Sequence, residues 1–113
     1  MPLLRGAMWY ELAMLSILAG VAEEALFRGV VQEAVARVTN PAVGLIVASA
    51  LFGIAHAVSR EYALFAVLFG LYLGSLMFLT DNLLPPIIVH ASYDFIALGW
   101  LTRRRTGVKR FSP

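Results

Sequence analysis

The chain has 113 residues, 60% of them hydrophobic and only 14% charged, with a mean hydropathy of +0.80. A soluble globular domain carries about a quarter charged residues, so the composition points to a membrane environment, and the length suits one domain. There is no cysteine, which excludes disulfides and thiolate zinc sites.

Four apolar segments follow one another. The first runs from about Trp9 to about Val38, and its second half is amphipathic, with Gln32, Glu33 and Arg37 among valines and alanines. It carries Glu23, Glu24 and Arg28, which does not fit the apolar stretch of a cleavable signal peptide. Asn40-Pro41 punctuates it. The second segment, Pro41 to Val58, has His56 as its one ionisable residue and is marginal in length for a membrane span. Ser59-Arg60-Glu61 is a polar break. The third, Tyr62 to Thr80, is uncharged, and within it Gly70 and Gly74 have the spacing that lets helices approach closely in lipid. Thr80-Asp81-Asn82 ends it. Pro85-Pro86 opens the fourth, which runs to about Thr102 with His90 and Asp94 as its ionisable groups.

A spanning helix needs roughly 20 apolar residues. The third and fourth segments meet this, and the first is long enough to span and continue. The runs are too long for strands and rich in Ala, Leu and Gly. The expected fold is therefore all-α: a polytopic membrane protein with about four transmembrane helices, the first long with an amphipathic second half. One domain is expected over residues 1–113, with about 9–102 embedded and 103–113 forming a basic tail. The chain reads as a small membrane protein or the core of a longer one.

Arg103, Arg104, Arg105, Lys109 and Arg110 supply five of the nine basic residues. Beside apolar segments they read as a cytoplasmic flank rather than a nucleic-acid patch; membrane lipids are expected partners and nucleic acid is not. Four crossings then place both termini and the Arg60 loop on the cytoplasmic side, with the Arg37 loop and Asp81 facing away. Trp9 and Trp100 fall at the cytoplasmic interface, where Trp is favoured.

Charged groups in lipid must be paired or line a wet cavity. Glu24 and Arg28 are i,i+4 and can pair on one helix face. Glu23 is rotated about 100° away and needs another partner, which makes it the chemical group of the two. His90 and Asp94 repeat the i,i+4 spacing, as do Phe52 and His56, with Gly53 giving room for close approach. Phe52 reads as packing. Glutamate and histidine together suit activation of a water, and a second imidazole with a hydrogen-bonding partner suits an oxyanion. The same set could bind zinc through Glu23, His56 and His90 with a water in the open position, although His-Glu-x-x-His is absent. A serine nucleophile at Ser49 or Ser92 is poorly supported.

In order, Glu23-Glu24-x-x-x-Arg28, Phe52-x-x-x-His56 and His90-x-x-x-Asp94 resemble the three motifs of the CAAX protease and bacteriocin-processing family, also called the Abi family. These are intramembrane proteases that include the type II CAAX prenyl endopeptidases. The resemblance implies an endopeptidase in an all-helical membrane core, in a bacterial or archaeal cell membrane. It implies Glu23 activating water with His56, and His90 with Asp94 binding the oxyanion or orienting the substrate carbonyl. Glu24 and Arg28 would shape the site. No cofactor follows with certainty; zinc and a metal-free glutamate mechanism use the same side chains. Expected substrates are membrane-associated peptides or proteins, prenylated or bacteriocin-like. The alternative is a non-catalytic immunity or scaffold protein with the same fold. A proton or ion carrier is a third class, for which four short helices are thin.

One geometric demand follows. In strict up-down alternation His56 lies roughly 22 Å below Pro41, and His90 only roughly 6 Å below Pro86. A single site requires staggered or tilted helices, or an inward dip of Asp81 to Pro86, which is the expectation. Imidazoles more than about 12 Å apart would contradict a shared site, because catalytic groups act at hydrogen-bond reach.

Overall fold

The computed structural model describes residues 6–110, with side chains described to Arg103. The described residues are helical apart from short turns, and no strand occurs among them. The first rod comprises α1 (Trp9–Glu24), a π segment (Ala25–Gln32) and α2 (Glu33–Val38). It covers the whole of the first apolar segment. Then come α3 (Pro41–Ala55), α4 (Arg60–Thr80) and α5 (Leu84–Arg110).

Each start has a local cause. Glu11 accepts a hydrogen bond from the Met8 amide at 3.0 Å in the first turn of α1. Asn40 caps α3, its side chain accepting from the Val43 amide at 3.0 Å, and Pro41 takes the first helical position, where no amide hydrogen is required. Ser59 caps α4 through the Tyr62 amide. Asp81 ends α4 with φ 49°, in the left-handed region, which a short polar side chain tolerates better than most.

The expected inward dip of Asp81 to Pro86 is met only at its proline end. Asp81 and Asn82 are exposed, whereas Pro86 is fully buried. Asn82 accepts from the Leu84 amide at 2.9 Å, acting at the start of α5. Its polar groups keep it at the surface. Proline lacks the amide hydrogen that burial would orphan, so it can turn inward instead.

Two helices are long and apolar enough to cross a membrane, Arg60–Thr80 and Leu84–Arg103; α3 is apolar but shorter. The fourth segment's helix does not stop near Thr102 but continues to Arg110. The tail expected at 103–113 therefore begins as helix. The side chains of Arg104, Arg105, Lys109 and Arg110 lie outside the described ones.

Helix α1 packs on α5, α3 on α4, α2 and the π segment on α3, and α4 on α5. Glycine sets the separations. A Cβ at Gly20 would meet Ala91 of α5 at 3.1 Å. At Gly44 it would meet the Gln32 carbonyl at 2.6 Å and Ala36 at 2.9 Å, so α2 and α3 run in close contact. Gly53 faces Val67 and the Ala63 carbonyl of α4. The room that Gly53 provides is thus used by a neighbouring helix. Gly70 and Gly74 do pack closely, as their spacing implies. Gly70 admits Arg28, Phe52 and Ser49, and Gly74 admits Leu45 and Gln32.

Along the first rod the buried positions are Leu12, Ser16, Gly20, Glu24, Arg28 and Gln32, each four residues after the last. On an α-helix a step of four residues drifts by about 40°. A π segment is wound more loosely, with i→i+5 hydrogen bonds. Its position over Ala25–Gln32 lets Glu24, Arg28 and Gln32 stay on one buried face, from which Arg28 and Gln32 reach α4.

Candidate active site

Two carboxylates leave the end of α1 in different directions. Glu24 is completely buried and Glu23 is 35% exposed at its side chain. Glu24 lies 3.5 Å from the Arg28 Nε, an i,i+4 ion pair with both side chains fully buried. That distance is longer than a charge-assisted hydrogen bond. Arg28 is held more firmly elsewhere: its Nη2 donates to the Gly70 carbonyl at 3.0 Å, and its guanidinium lies 4.9 Å from the centre of the Phe52 ring. The other oxygen of Glu24 meets the His90 Nδ1 at 3.2 Å. Glu24 is therefore engaged by His90 as well as by Arg28.

His90 sits among three carboxylates. Its Nδ1 faces Glu24; its Nε2 lies 3.1 Å from Glu23 and 3.4 Å from Asp94. His56 approaches from the C-terminal end of α3, with its Nε2 3.5 Å from the same Glu23 oxygen. The two imidazole nitrogens are separated by no more than the sum of those two distances to Glu23, well inside the limit for one site. The long separation along the helices is thus overcome, and both rings reach one carboxylate.

The His56 tautomer follows from its partner. Its Nδ1 lies 2.7 Å from the Phe52 carbonyl. A carbonyl only accepts, so Nδ1 carries hydrogen, and a neutral ring presents a bare Nε2 toward Glu23. Phe52 packs at the centre of the cluster, its ring 5.3 Å from Phe27, 4.3 Å from His56 and 5.8 Å from His90.

Glu23, His56, His90 and Asp94 open into a cavity of about 350 Å³ whose other walls include Tyr62, Phe65, Phe69, Tyr93 and Leu101. On α5 the lining residues His90, Tyr93, Asp94, Ala97, Leu98 and Leu101 follow helical spacing, so one face of α5 forms a wall. Ser49 is buried and does not line the cavity, and Ser92 is exposed.

Glu23, His56 and His90, the residues that would hold zinc, bring one carboxylate oxygen within 3.5 and 3.1 Å of the two imidazole Nε2 atoms. Among the described residues no three His, Cys, Asp or Glu side chains form a group that could hold a metal ion. His90 also has carboxylates against both ring nitrogens.

A family model described as type II CAAX prenyl endopeptidase Rce1-like matches residues 5–96, a span that contains all of these groups. The chain belongs to this family. Its members are membrane-embedded proteases, so the motif resemblance and the family match agree. No curated protein and no solved structure matches the chain.

In this CAAX endopeptidase-like chain, one buried residue escaped the reading of the sequence. Gln32, grouped there with the amphipathic half of the first helix, is buried and donates to the Gly74 carbonyl at 3.3 Å. Arg28 and Gln32 are four apart, and so are the glycine carbonyls they bind. The signal was the four-residue spacing of Ser16, Gly20, Glu24, Arg28 and Gln32.

Proposed function

We propose that this chain is an intramembrane endopeptidase in which Glu23 and His56 activate a water against a peptide bond held in the cavity beside them. The carrying observation is the convergence of two imidazole Nε2 atoms on one Glu23 oxygen at the cavity wall. Glu23 is the accessible carboxylate, and it has room for a water that the buried Glu24 lacks.

In this reading the water donates one hydrogen toward Glu23 and is aligned by the bare Nε2 of His56. Its oxygen attacks the scissile carbonyl carbon as Glu23 takes the proton. The carbon–nitrogen bond then breaks, and the same proton passes to the leaving amine. His90 fixes Glu23 from the other side, and Glu24, itself paired with Arg28, holds His90. Asp94 shares the His90 Nε2 with Glu23. Glu24, whose oxygen faces Nδ1, orients the His90 ring.

The cavity walls are chiefly aromatic and aliphatic, which suits a substrate segment flanked by lipid-like groups, such as a prenylated C-terminal peptide. The four helical rods are read as membrane crossings, with α1 to α5 forming one domain and both termini on the cytoplasmic side.

The test is cleavage of a prenylated CAAX-type peptide by the purified chain in liposomes, with products mapped by mass. A single internal cut, lost in His56→Ala, is expected. Intact peptide with the folded wild type would overturn the reading.

A further inference from the structure

The family resemblance implies that His90 with Asp94 binds the oxyanion, and the contacts around those two groups leave that role without a free donor. Attack on an amide places negative charge on the carbonyl oxygen, and a peptidase site stabilises it with a hydrogen-bond donor aimed at that position. The groups around His90 are acceptors: Glu23, Glu24 and Asp94 each bring a carboxylate to its ring. An ionised carboxylate accepts only, so Asp94 does not serve in that form. The His56 Nδ1–H is engaged by the Phe52 carbonyl. Arg28 is fully buried against Glu24, Phe52 and the Gly70 carbonyl. The His90 Nε2 is already shared by two carboxylates.

Tyr93 lies on the same face of α5 as His90 and Asp94, three residues after the first and next to the second, and lines the same cavity. Its ring is fixed between Phe69, 4.9 Å away between centres, and Phe65, 5.7 Å away. Phe69 in turn packs edge-on to His90, with the ring centres 6.0 Å apart. The aromatic stack thus ties the tyrosine ring to the ring that touches Glu23. Its hydroxyl is not engaged in a hydrogen bond among the described residues, and a phenol is a donor at neutral pH.

We infer that Tyr93 is a further catalytic residue, donating its hydroxyl hydrogen to the substrate carbonyl oxygen as negative charge develops there. The inference rests on the peptidase reading. No proton is transferred in this step: the phenol keeps its hydrogen and the hydrogen bond shortens as the oxygen gains charge. The packing role of the ring is separable, because Phe retains it.

The experiment compares Tyr93→Phe, Tyr62→Phe and Glu23→Gln with the wild type on one prenylated CAAX-type peptide in liposomes. Tyr93→Phe is expected to lower kcat roughly a hundredfold, the scale of losing one oxyanion donor, with KM within about twofold and an unchanged unfolding midpoint. A second arm places Tyr93→Phe in an Asp94→Asn background. An amide at 94 adds a donor beside the cavity, so the loss on removing the hydroxyl is expected to shrink at least severalfold. Wild-type kcat in Tyr93→Phe, or the loss appearing in Tyr62→Phe instead, overturns the Tyr93 assignment while Glu23→Gln stays inactive. Wild-type cleavage by Glu23→Gln overturns the peptidase reading itself, and the Tyr93 assignment with it.

Discussion

Adjacent glutamates carry different burdens because the protein surrounds them differently. Glu24 has no exposure and touches Arg28 and His90; Glu23 is partly open and touches both histidines. Removing Arg28 leaves a buried carboxylate without its cation, which typically costs about 3–5 kcal/mol. Arg28→Met is expected to lower the unfolding midpoint in detergent sharply, and retention of wild-type stability would contradict the buried pair. Glu24→Gln keeps shape and an oxygen for His90, so some cleavage is expected to survive in it. The division between the two carboxylates was legible from their rotation of about 100° on a helix. The grip of Glu24 on His90 was not. It depends on how closely α5 crosses α1, and that crossing is fixed by the contact of Gly20 with Ala91, 71 residues away in the chain.

Among the elements, the π segment and the glycine contacts decide whether the site assembles. Arg28 and Gln32 reach the carbonyls of Gly70 and Gly74 from one face of the first rod. Hydropathy showed where that rod begins, and Asn40-Pro41 marked where it ends. It did not show the local π winding, which reflects the match of buried positions to α4. Gly44 supplies a test at this scale. Its Cβ would strike the Gln32 carbonyl at the end of the π segment and Ala36 of α2, and overpacking of this kind costs about 1–3 kcal/mol. Gly44→Ala is expected to lower the unfolding midpoint. Gly99, in α5, has nothing within 4 Å, so Gly99→Ala is expected to be neutral or stabilising, as replacing a helical glycine generally is. Equal effects of the two substitutions would contradict the close α2–α3 contact.

The whole molecule joins an apolar exterior to a polar centre. Large hydrophobic side chains are exposed along every long helix, among them Ile17, Leu18, Ile46, Leu68, Leu79 and Ile96. Such exposure suits hydrocarbon rather than water, whereas the interior holds Glu24, Arg28, Gln32 and His90. This inversion was legible from composition, and the ordered motifs named the residues at the centre. How His56 and His90 meet was not legible, because helix tilt and stagger come from packing and leave no periodic mark. The arrangement across the membrane has a direct test in a chain without cysteine. Single cysteines at Ser59 and Asn82 are expected to react with an impermeant maleimide from opposite sides, Ser59 from the cytoplasmic one. Labelling of both from one side would contradict the four-crossing arrangement.

The central claim is that Glu23 activates water with His56 and His90 beside it. The most direct measurement is the single-turnover rate of peptide cleavage by Glu23→Gln in liposomes, with folding checked by its unfolding midpoint. Loss of a general base typically costs about 10²- to 10⁴-fold, and a fall of that size with bound substrate retained is the expected result. Cleavage at the wild-type rate would contradict the account.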